Sequence, residues 1–137
     1  MKKLLLWLGF IVLLGLGIFG FTKLPDANRQ STDPSQQSLT FNSIKTEVTS
    51  GSSYLFDVRT PAEFADNHFE TSTNYDLQIL QSGQMPQLPK DSKIYVYCHS
   101  GNRSSQAATI LKNYGFTNIV DLGGLTDVQE IGGVLIK

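Results

Sequence analysis

The chain has 137 residues, 40% of them hydrophobic, which is enough for one domain with its own core. Its 11 basic and 12 acidic residues give a net charge of -1 and form no basic stripe, so we do not expect nucleic acid as a partner. The chain has a single cysteine, Cys98, which excludes an internal disulfide. Because it has only two histidines, we predict no metal site, and we predict no cofactor.

The N-terminal residues 1–22 begin with two lysines and continue, over residues 4–21, as an unbroken run of apolar and glycine residues. A helix over this run and its flanks would span a hydrocarbon core of roughly 30 Å. We therefore interpret 1–22 as a transmembrane anchor that meets the membrane through residues 4–21. A cleaved signal sequence is the alternative, although no A-x-A-like cleavage site follows the run.

Basic residues on the two sides of the apolar run bear on its orientation. Lys2 and Lys3 favour a cytoplasmic N terminus, which predicts a single-pass protein of the cell membrane with its domain on the extracytoplasmic side. Lys23 and Arg29 weaken that bias, so the opposite topology, with the domain facing the cytoplasm, is one alternative. Secretion of the domain after cleavage of a signal sequence is another. Residues 23–38 are polar and proline-containing and predict a flexible linker.

The remaining residues, 39–137, contain alternating signals for strands and helices. Short runs rich in aromatic and β-branched residues predict strands over 54–58, 94–97 and 118–122. Helical spacing and capping residues predict helices over 42–50, from Pro61 with Thr60 as N-cap, and over 104–114 with Gly115 after its end. This alternation predicts an α/β fold, with a central parallel sheet covered by helices on both faces.

The run 98–105, Cys-His-Ser-Gly-Asn-Arg-Ser-Ser, joins a predicted strand to a predicted helix. Ligands bind beyond the carboxyl ends of strands in such sheets, and a loop entering a helix there directs backbone N–H groups inward. We expect Cys98 at the lip of this loop, as a thiolate stabilised by those donors and by Arg103. Gly101 permits a positive φ, and Ser100, Asn102 and Ser104 can add hydrogen bonds. A small buried structural cysteine is the competing interpretation.

These residues resemble the rhodanese-like domains, whose catalytic loop has the pattern Cys-x-x-Gly-x-Arg between a strand and a helix. The run 56–64, Phe-Asp-Val-Arg-Thr-Pro-Ala-Glu-Phe, is similar to the family's Asp-Val-Arg-x-x-x-Glu-Phe segment. His68 stands at the histidine of the family's Gly-His-Ile, and 122–125 match the Gly-Gly after the last strand. The resemblance covers nearly all of 39–137 and implies a rhodanese-like domain with a sheet of about five strands.

Three positions depart from the family pattern. The family's His-Ile-Pro-Gly-Ala is His-Phe-Glu-Thr-Ser over 68–72, so the turn there is built differently. Asn67 replaces the glycine before the histidine, and Val128 stands where many members have tryptophan. We expect these changes to alter packing or the rim of the site and to leave the cysteine chemistry intact.

The resemblance implies a sulfurtransferase that moves a sulfane sulfur from a donor such as thiosulfate to a thiophilic acceptor, through a persulfide on Cys98. It implies that Asp57 and Arg59 support the loop from behind and that His68 is structural. The expected partners are a small sulfur-containing anion and a thiol or cyanide-like acceptor, bound by a monomeric domain. The residues implied to hold the persulfide are His99, Ser100, Gly101, Asn102, Arg103 and Ser104.

Two other functions remain open from the sequence. Related folds that act as phosphatases or arsenate reductases have five residues between cysteine and arginine, whereas four separate Cys98 from Arg103. A non-catalytic rhodanese-like module that binds a persulfide or a protein is the second alternative, because a fold does not guarantee an activity. Such modules commonly lack the cysteine, which this chain retains.

Overall fold

The structure of the protein, a computed structural model, describes residues 38–137. The segment 1–22, predicted to be an anchor or signal sequence, lies outside the described residues. The predicted linker 23–38 lies outside them too, apart from its last residue. Within the described part, no helix has both the length and the apolar character needed to cross a membrane.

Residues 38–137 form alternating helices and strands. The helices are α1 (Phe41–Thr49), α2 (Pro61–Asp66), α3 (Leu77–Gln81), α4 (Asn102–Asn113) and α5 (Leu125–Glu130). The strands are β1 (Ser53–Asp57), β2 (His68–Phe69), β3 (Thr73–Asn74), β4 (Lys93–Tyr97), β5 (Asn118–Asp121) and β6 (Leu135–Ile136). A parallel sheet has the order β3-β1-β4-β5, while β2 and β6 form an antiparallel pair. The predicted α/β fold class is confirmed.

The three strands predicted from the sequence are confirmed as β1, β4 and β5. The parallel sheet has four strands, where the resemblance led us to expect about five. Strands β2, β3 and β6 have two residues each, which is too short to show the alternation that identifies a strand in a sequence. The pairing of β2 with β6 in a second sheet accounts for the difference.

Both faces of the parallel sheet are covered by helices, as predicted. On one face, α3 and α4 pack against the sheet in a cluster that includes Val96 and Leu111. On the other, α1 and α5 contribute Ile44 and Val128 to a cluster around Tyr95. Tyr95 and Val96 are consecutive and fully buried, and successive side chains of a strand point to opposite faces. Strand β4 is therefore buried on both sides, and its carboxyl end emerges from the middle of the sheet.

Helices α2 and α4 lie close to where the sequence predicts them. Thr60 is the N-cap of α2: its hydroxyl accepts from the Glu63 N–H at 3.3 Å, and the Glu63 carboxylate accepts from the Thr60 N–H at 3.0 Å. This reciprocal capping box fixes the Glu63 side chain at the start of the helix. Helix α4 starts at Asn102, two residues before the predicted position, and Gly115 follows its end with a φ of 97°.

Thr71, in the turn between β2 and β3, is a strained position. Its φ of 69° is in the left-handed region, where a β-branched residue is disfavoured by roughly 1–2 kcal/mol. Its Oγ1 is buried without a hydrogen-bond partner in the described part of the chain. The strain falls in the run 68–72, where the sequence departs from the family pattern. Thr71 therefore lowers the stability of this turn.

Replacing Thr71 with glycine is expected to raise the free energy of unfolding by about 1 kcal/mol, because it removes the strain and the unpaired hydroxyl. The greater chain entropy of glycine in the unfolded state offsets about 0.5–1 kcal/mol of the gain. Thr73→Gly is the matched control, since Thr73 is exposed, lies in β3 and has no positive φ. Urea unfolding should show the control destabilised, and a Thr71→Gly variant weaker than wild type would contradict the prediction.

Candidate active site

Cys98 lies immediately after β4, at the carboxyl end of the parallel sheet. Its side chain is 0% exposed and belongs to the same hydrophobic cluster as Val96 and Ala107. Its Sγ accepts a hydrogen bond of 3.0 Å from the backbone N–H of Gly101. The expectation that Cys98 stands at the lip of the loop is wrong, because the loop closes over the sulfur and leaves it at the base.

The loop enters α4 through Gly101, whose φ of 89° lies in the region that glycine adopts without strain. The Ser104 hydroxyl donates to the carbonyl of Gly101 at 2.9 Å and reaches that of Gly123 at 3.2 Å. Asn102 behaves differently, since its side-chain oxygen accepts from Gln106 at 2.8 Å along the exposed side of α4. Gly101 and Ser104 therefore shape the loop as expected, and Asn102 bonds within the helix.

The glycine pair after β5 packs directly against the loop. The Cys98 N–H donates to the Gly123 carbonyl at 3.0 Å, and the Leu125 N–H donates to the His99 carbonyl at 3.1 Å. A β-carbon on Gly124 would lie 2.7 Å from that His99 oxygen. The side chains of His99 and Ser100 are exposed above this contact. The glycine pair thus sets the position of the loop and leaves the side chains of His99 and Ser100 in solvent.

Arg103, in the first turn of α4, is paired with a carboxylate from α2. Its Nη1 donates to Glu63 Oε2 at 2.7 Å and its Nη2 donates to Glu63 Oε1 at 2.8 Å. Each of the two side chains in this bidentate pair is about one-third exposed. Arg103 is therefore shared with a carboxylate, and the expectation that it stabilises a Cys98 thiolate together with the loop amides stays a prediction.

The pKa values of the two partners reflect this pairing. The hydrogen bonds from Arg103, with others from Thr60, lower the pKa of Glu63 to about 2 in spite of its partial burial. The pKa of Arg103 is raised, first by those hydrogen bonds and, among smaller causes, by the charge of a Cys98 thiolate. Glu63 therefore stays ionised at any pH at which the domain would be assayed, and Arg103 lies close enough to Cys98 to sense its charge.

Asp57 and Arg59 form a buried ion pair behind the loop. Their side chains are 0% and 3% exposed, and Arg59 Nη2 donates to Asp57 Oδ2 at 2.6 Å. The same nitrogen donates to the Asn67 carbonyl at 2.6 Å, and the guanidinium lies 5.9 Å from the centre of the Tyr97 ring. This geometry suits a supporting role beside the end of β4, and that role stays a prediction.

His68 has the contacts of a structural residue. Its Nδ1 lies 3.0 Å from the Phe64 carbonyl, and its ring stacks on the Phe64 ring at 4.1 Å between centroids.

In residues 38–137 no three His, Cys, Asp or Glu side chains gather in a group that could hold a metal ion.

Glu63 is the site residue that the sequence reasoning missed. It belongs to the matched segment 56–64, but its place at the third position of α2 explains it as a capping residue. Its second role depends on α2 lying beside the start of α4, which the sequence does not reveal. The signal that the sequence offers is that Glu63 is an ionisable residue at a fixed position of the family motif.

Comparisons with known proteins agree with this fold. The model of the rhodanese-like domain matches residues 40–130. A thiosulfate sulfurtransferase, PspE of Escherichia coli, is 32% identical over 76 residues, covering 55% of this chain and 73% of its own. An adenylyltransferase and sulfurtransferase, uba4 of Ogataea parapolymorpha, is 40% identical over 74 residues, which are 53% of this chain and only 19% of that protein.

Solved structures show the same architecture. A rhodanese with anions from E. coli has a TM-score of 0.54 and 28% identity, and the match covers 62% of this chain and 98% of that one. A thiosulfate sulfurtransferase from Pseudomonas aeruginosa has a TM-score of 0.62 and 28% identity, over 72% of this chain and 19% of that one. With the family model matching most of the described residues and Cys98 placed at the base of the loop, the chain belongs to the rhodanese-like domain family.

Proposed function

We propose that the domain is a sulfurtransferase that carries a sulfane sulfur on Cys98, taking it from a donor such as thiosulfate and passing it to a thiol or cyanide-like acceptor. One observation carries the proposal: the Gly101 N–H points at Sγ from 3.0 Å, beside the N-terminus of the 12-residue helix α4. A backbone donor and a helix dipole both favour negative charge at that sulfur. Relatives named as sulfurtransferases, such as those of E. coli and Allochromatium vinosum, support the same chemistry.

The reaction has two displacements at sulfur. In the first, the Cys98 thiolate attacks the outer sulfur of thiosulfate, and sulfite leaves with the electrons of the broken S–S bond. Cys98 is then a persulfide whose terminal sulfur carries the negative charge that the loop amides are proposed to stabilise. In the second, the acceptor attacks that terminal sulfur, and the Cys98 thiolate is released with the electrons of its own S–S bond.

The test is the intact mass of the full chain after incubation with a sulfur donor. We expect a gain of about 32 Da, one sulfur atom, which disappears when cyanide is added as acceptor. The Cys98→Ser variant should gain nothing, because it lacks the attacking thiolate. A wild-type protein that gains no mass with thiosulfate, with polysulfide or with a thiol hydropersulfide would overturn the proposal.

The complete burial of Cys98 favours a second candidate function, a module that binds a persulfide or a protein without turnover. A catalytic sulfur must be reached by donor and acceptor, so the loop of an enzyme has to open. Alkylation by iodoacetamide separates the two functions. An enzyme is expected to react at Cys98 within minutes without unfolding, whereas a closed module should react only when it is unfolded in urea.

We also propose, from the sequence alone, that residues 4–21 hold the protein in the cell membrane with the domain on the extracytoplasmic side. The support is the length of the apolar run and the two lysines before it. Resistance to alkaline carbonate extraction, with protease access from outside the cell, would agree with this topology. Release of a shortened chain into the medium would instead indicate a cleaved signal sequence.

A further inference from the structure

The peptide group that joins Gly123 to Gly124 connects the glycine pair to both ends of the cysteine loop. Its carbonyl oxygen, that of Gly123, accepts from the Cys98 N–H at 3.0 Å and from the Ser104 hydroxyl at 3.2 Å. Cys98 follows directly after β4, and Ser104 lies in the first turn of α4. One carbonyl oxygen therefore fixes the loop both where it leaves the strand and where it enters the helix.

The glycine pair itself does little to fix the orientation of this peptide group. Gly123 has a φ of 83°, and neither glycine has a β-carbon that would resist rotation of the peptide plane between them. If the plane turned over, the Gly123 carbonyl would point away from the loop and the Cys98 N–H would lose its acceptor. The orientation of the plane therefore depends on the hydrogen bonds made at its two ends.

Asp127, in the first turn of α5, makes the bond at the other end of the plane. Its Oδ2 accepts from the Gly124 N–H at 2.6 Å, a short distance of the kind that a carboxylate acceptor gives. The carboxylate packs closely on the turn, since a β-carbon on Gly123 would lie 3.0 Å from Asp127 Cγ. Hydrogen bonds at the two ends of one peptide group polarise and strengthen each other. The peptide group is thus held through its N–H by Asp127 and through its C=O by the loop.

We propose that Asp127 is a positioning residue for sulfur transfer, which holds the Gly123 carbonyl against the loop by bonding the Gly124 N–H. This inference rests on the proposed sulfurtransferase function. It concerns a residue that lies beyond the family motif matched by 122–125. Through the Gly123 carbonyl, the loop keeps the shape in which the Gly101 N–H lies 3.0 Å from Sγ. If the plane turns, that donor moves away from the attacking sulfur, so the first displacement slows.

The test replaces Asp127 with alanine and with asparagine in the full chain, and follows the growth of the persulfide mass with thiosulfate as donor. Alanine offers no acceptor to the Gly124 N–H, so we expect the limiting rate per folded molecule to fall roughly 10-fold. The donor concentration that gives half of this rate should stay within about twofold, because the Asp127 carboxylate is bonded to the turn. Asparagine keeps an acceptor oxygen at the same position and should recover most of the rate.

Thr40→Ala is the matched control, because Asp127 also caps α5 and loss of a cap by itself lowers stability. Thr40 caps α1, which packs on the same face of the sheet as α5. Its removal should leave the rate per folded molecule unchanged. The inference is overturned by an equal loss of rate in Thr40→Ala, by a wild-type rate in Asp127→Ala, or by an asparagine variant as slow as the alanine variant.

Hydrogen exchange of backbone amides, followed by NMR, tests the same bond without a donor. In Asp127→Ala, the Cys98 amide should exchange about 10-fold faster relative to the amide of Tyr95, which is buried in β4 and reports opening of the whole sheet. An unchanged ratio would overturn the inference whichever function the domain has. If no donor loads wild type but the ratio changes as expected, the proposed function fails and Asp127 still orients the loop.

Discussion

Replacing Arg59 with methionine is expected to lower the free energy of unfolding by about 3–5 kcal/mol, because it leaves the Asp57 carboxylate buried and without its partner. The change also removes the hydrogen bond from Arg59 to the Asn67 carbonyl, which ties α2 to the end of β1. A domain of this size is stable by about 5–15 kcal/mol, so a large part of the margin is lost. Urea unfolding followed by circular dichroism measures the loss.

Two further variants show whether the effect comes from the unpaired charge. The double variant Asp57→Asn with Arg59→Met removes both charges, and it should be more stable than Arg59→Met alone. Lys45→Met breaks the exposed pair with Glu70 and is expected to change stability by less than about 1 kcal/mol. A loss below about 1 kcal/mol in Arg59→Met would show that Asp57 is accommodated by other donors and that the pair has no supporting role.

Much of the fold follows from local patterns in the sequence. Residues 54–56 of β1 and 94–97 of β4 are short runs of apolar and aromatic residues, as expected of strands buried on both faces, and these runs predicted the two strands. Helix α4 is recognisable because it packs Ala107 and Leu111 on one face and ends before Gly115. Helices α3 and α5 and the two-residue strands were not predicted, because they follow tertiary contacts, such as the pairing of His68 with Ile136, that leave no periodic signal.

The sequence predicts which residues form the site better than it predicts how they are arranged. Cys98 and Gly101 could be identified because a polar run after an apolar strand has no packing explanation. The burial of the Cys98 sulfur and the pairing of Arg103 with Glu63 could not be predicted, because both depend on elements that are distant in the sequence. Gly124 closes the loop from 26 residues beyond Cys98 in sequence, and Glu63 reaches Arg103 across 40 residues. Such long-range contacts are decided by the packing of the whole domain.

Replacing Gly124 with alanine is expected to slow sulfur uptake by Cys98 roughly 10- to 100-fold while the domain stays folded. The new β-carbon would lie 2.7 Å from the His99 carbonyl oxygen and 3.0 Å from Ser100 Cα, both of them backbone atoms of the loop. Gly124 has a φ of -92°, which alanine adopts without strain, so the effect is purely one of crowding. The rate is measured from the growth of the persulfide mass after mixing with donor.

Gly133→Ala is the matched control for this experiment. Its β-carbon would meet Val128 at 2.8 Å and Phe69 at 2.9 Å, a similar degree of crowding against residues that are not part of the loop. Both variants are expected to lose about 1–3 kcal/mol of stability, but only Gly124→Ala should lose activity per folded molecule. Equal activity losses would mean that general loosening of the core explains the result. A loss confined to Gly124→Ala would mean that the fit between the glycine pair and the loop positions the amide that faces the sulfur.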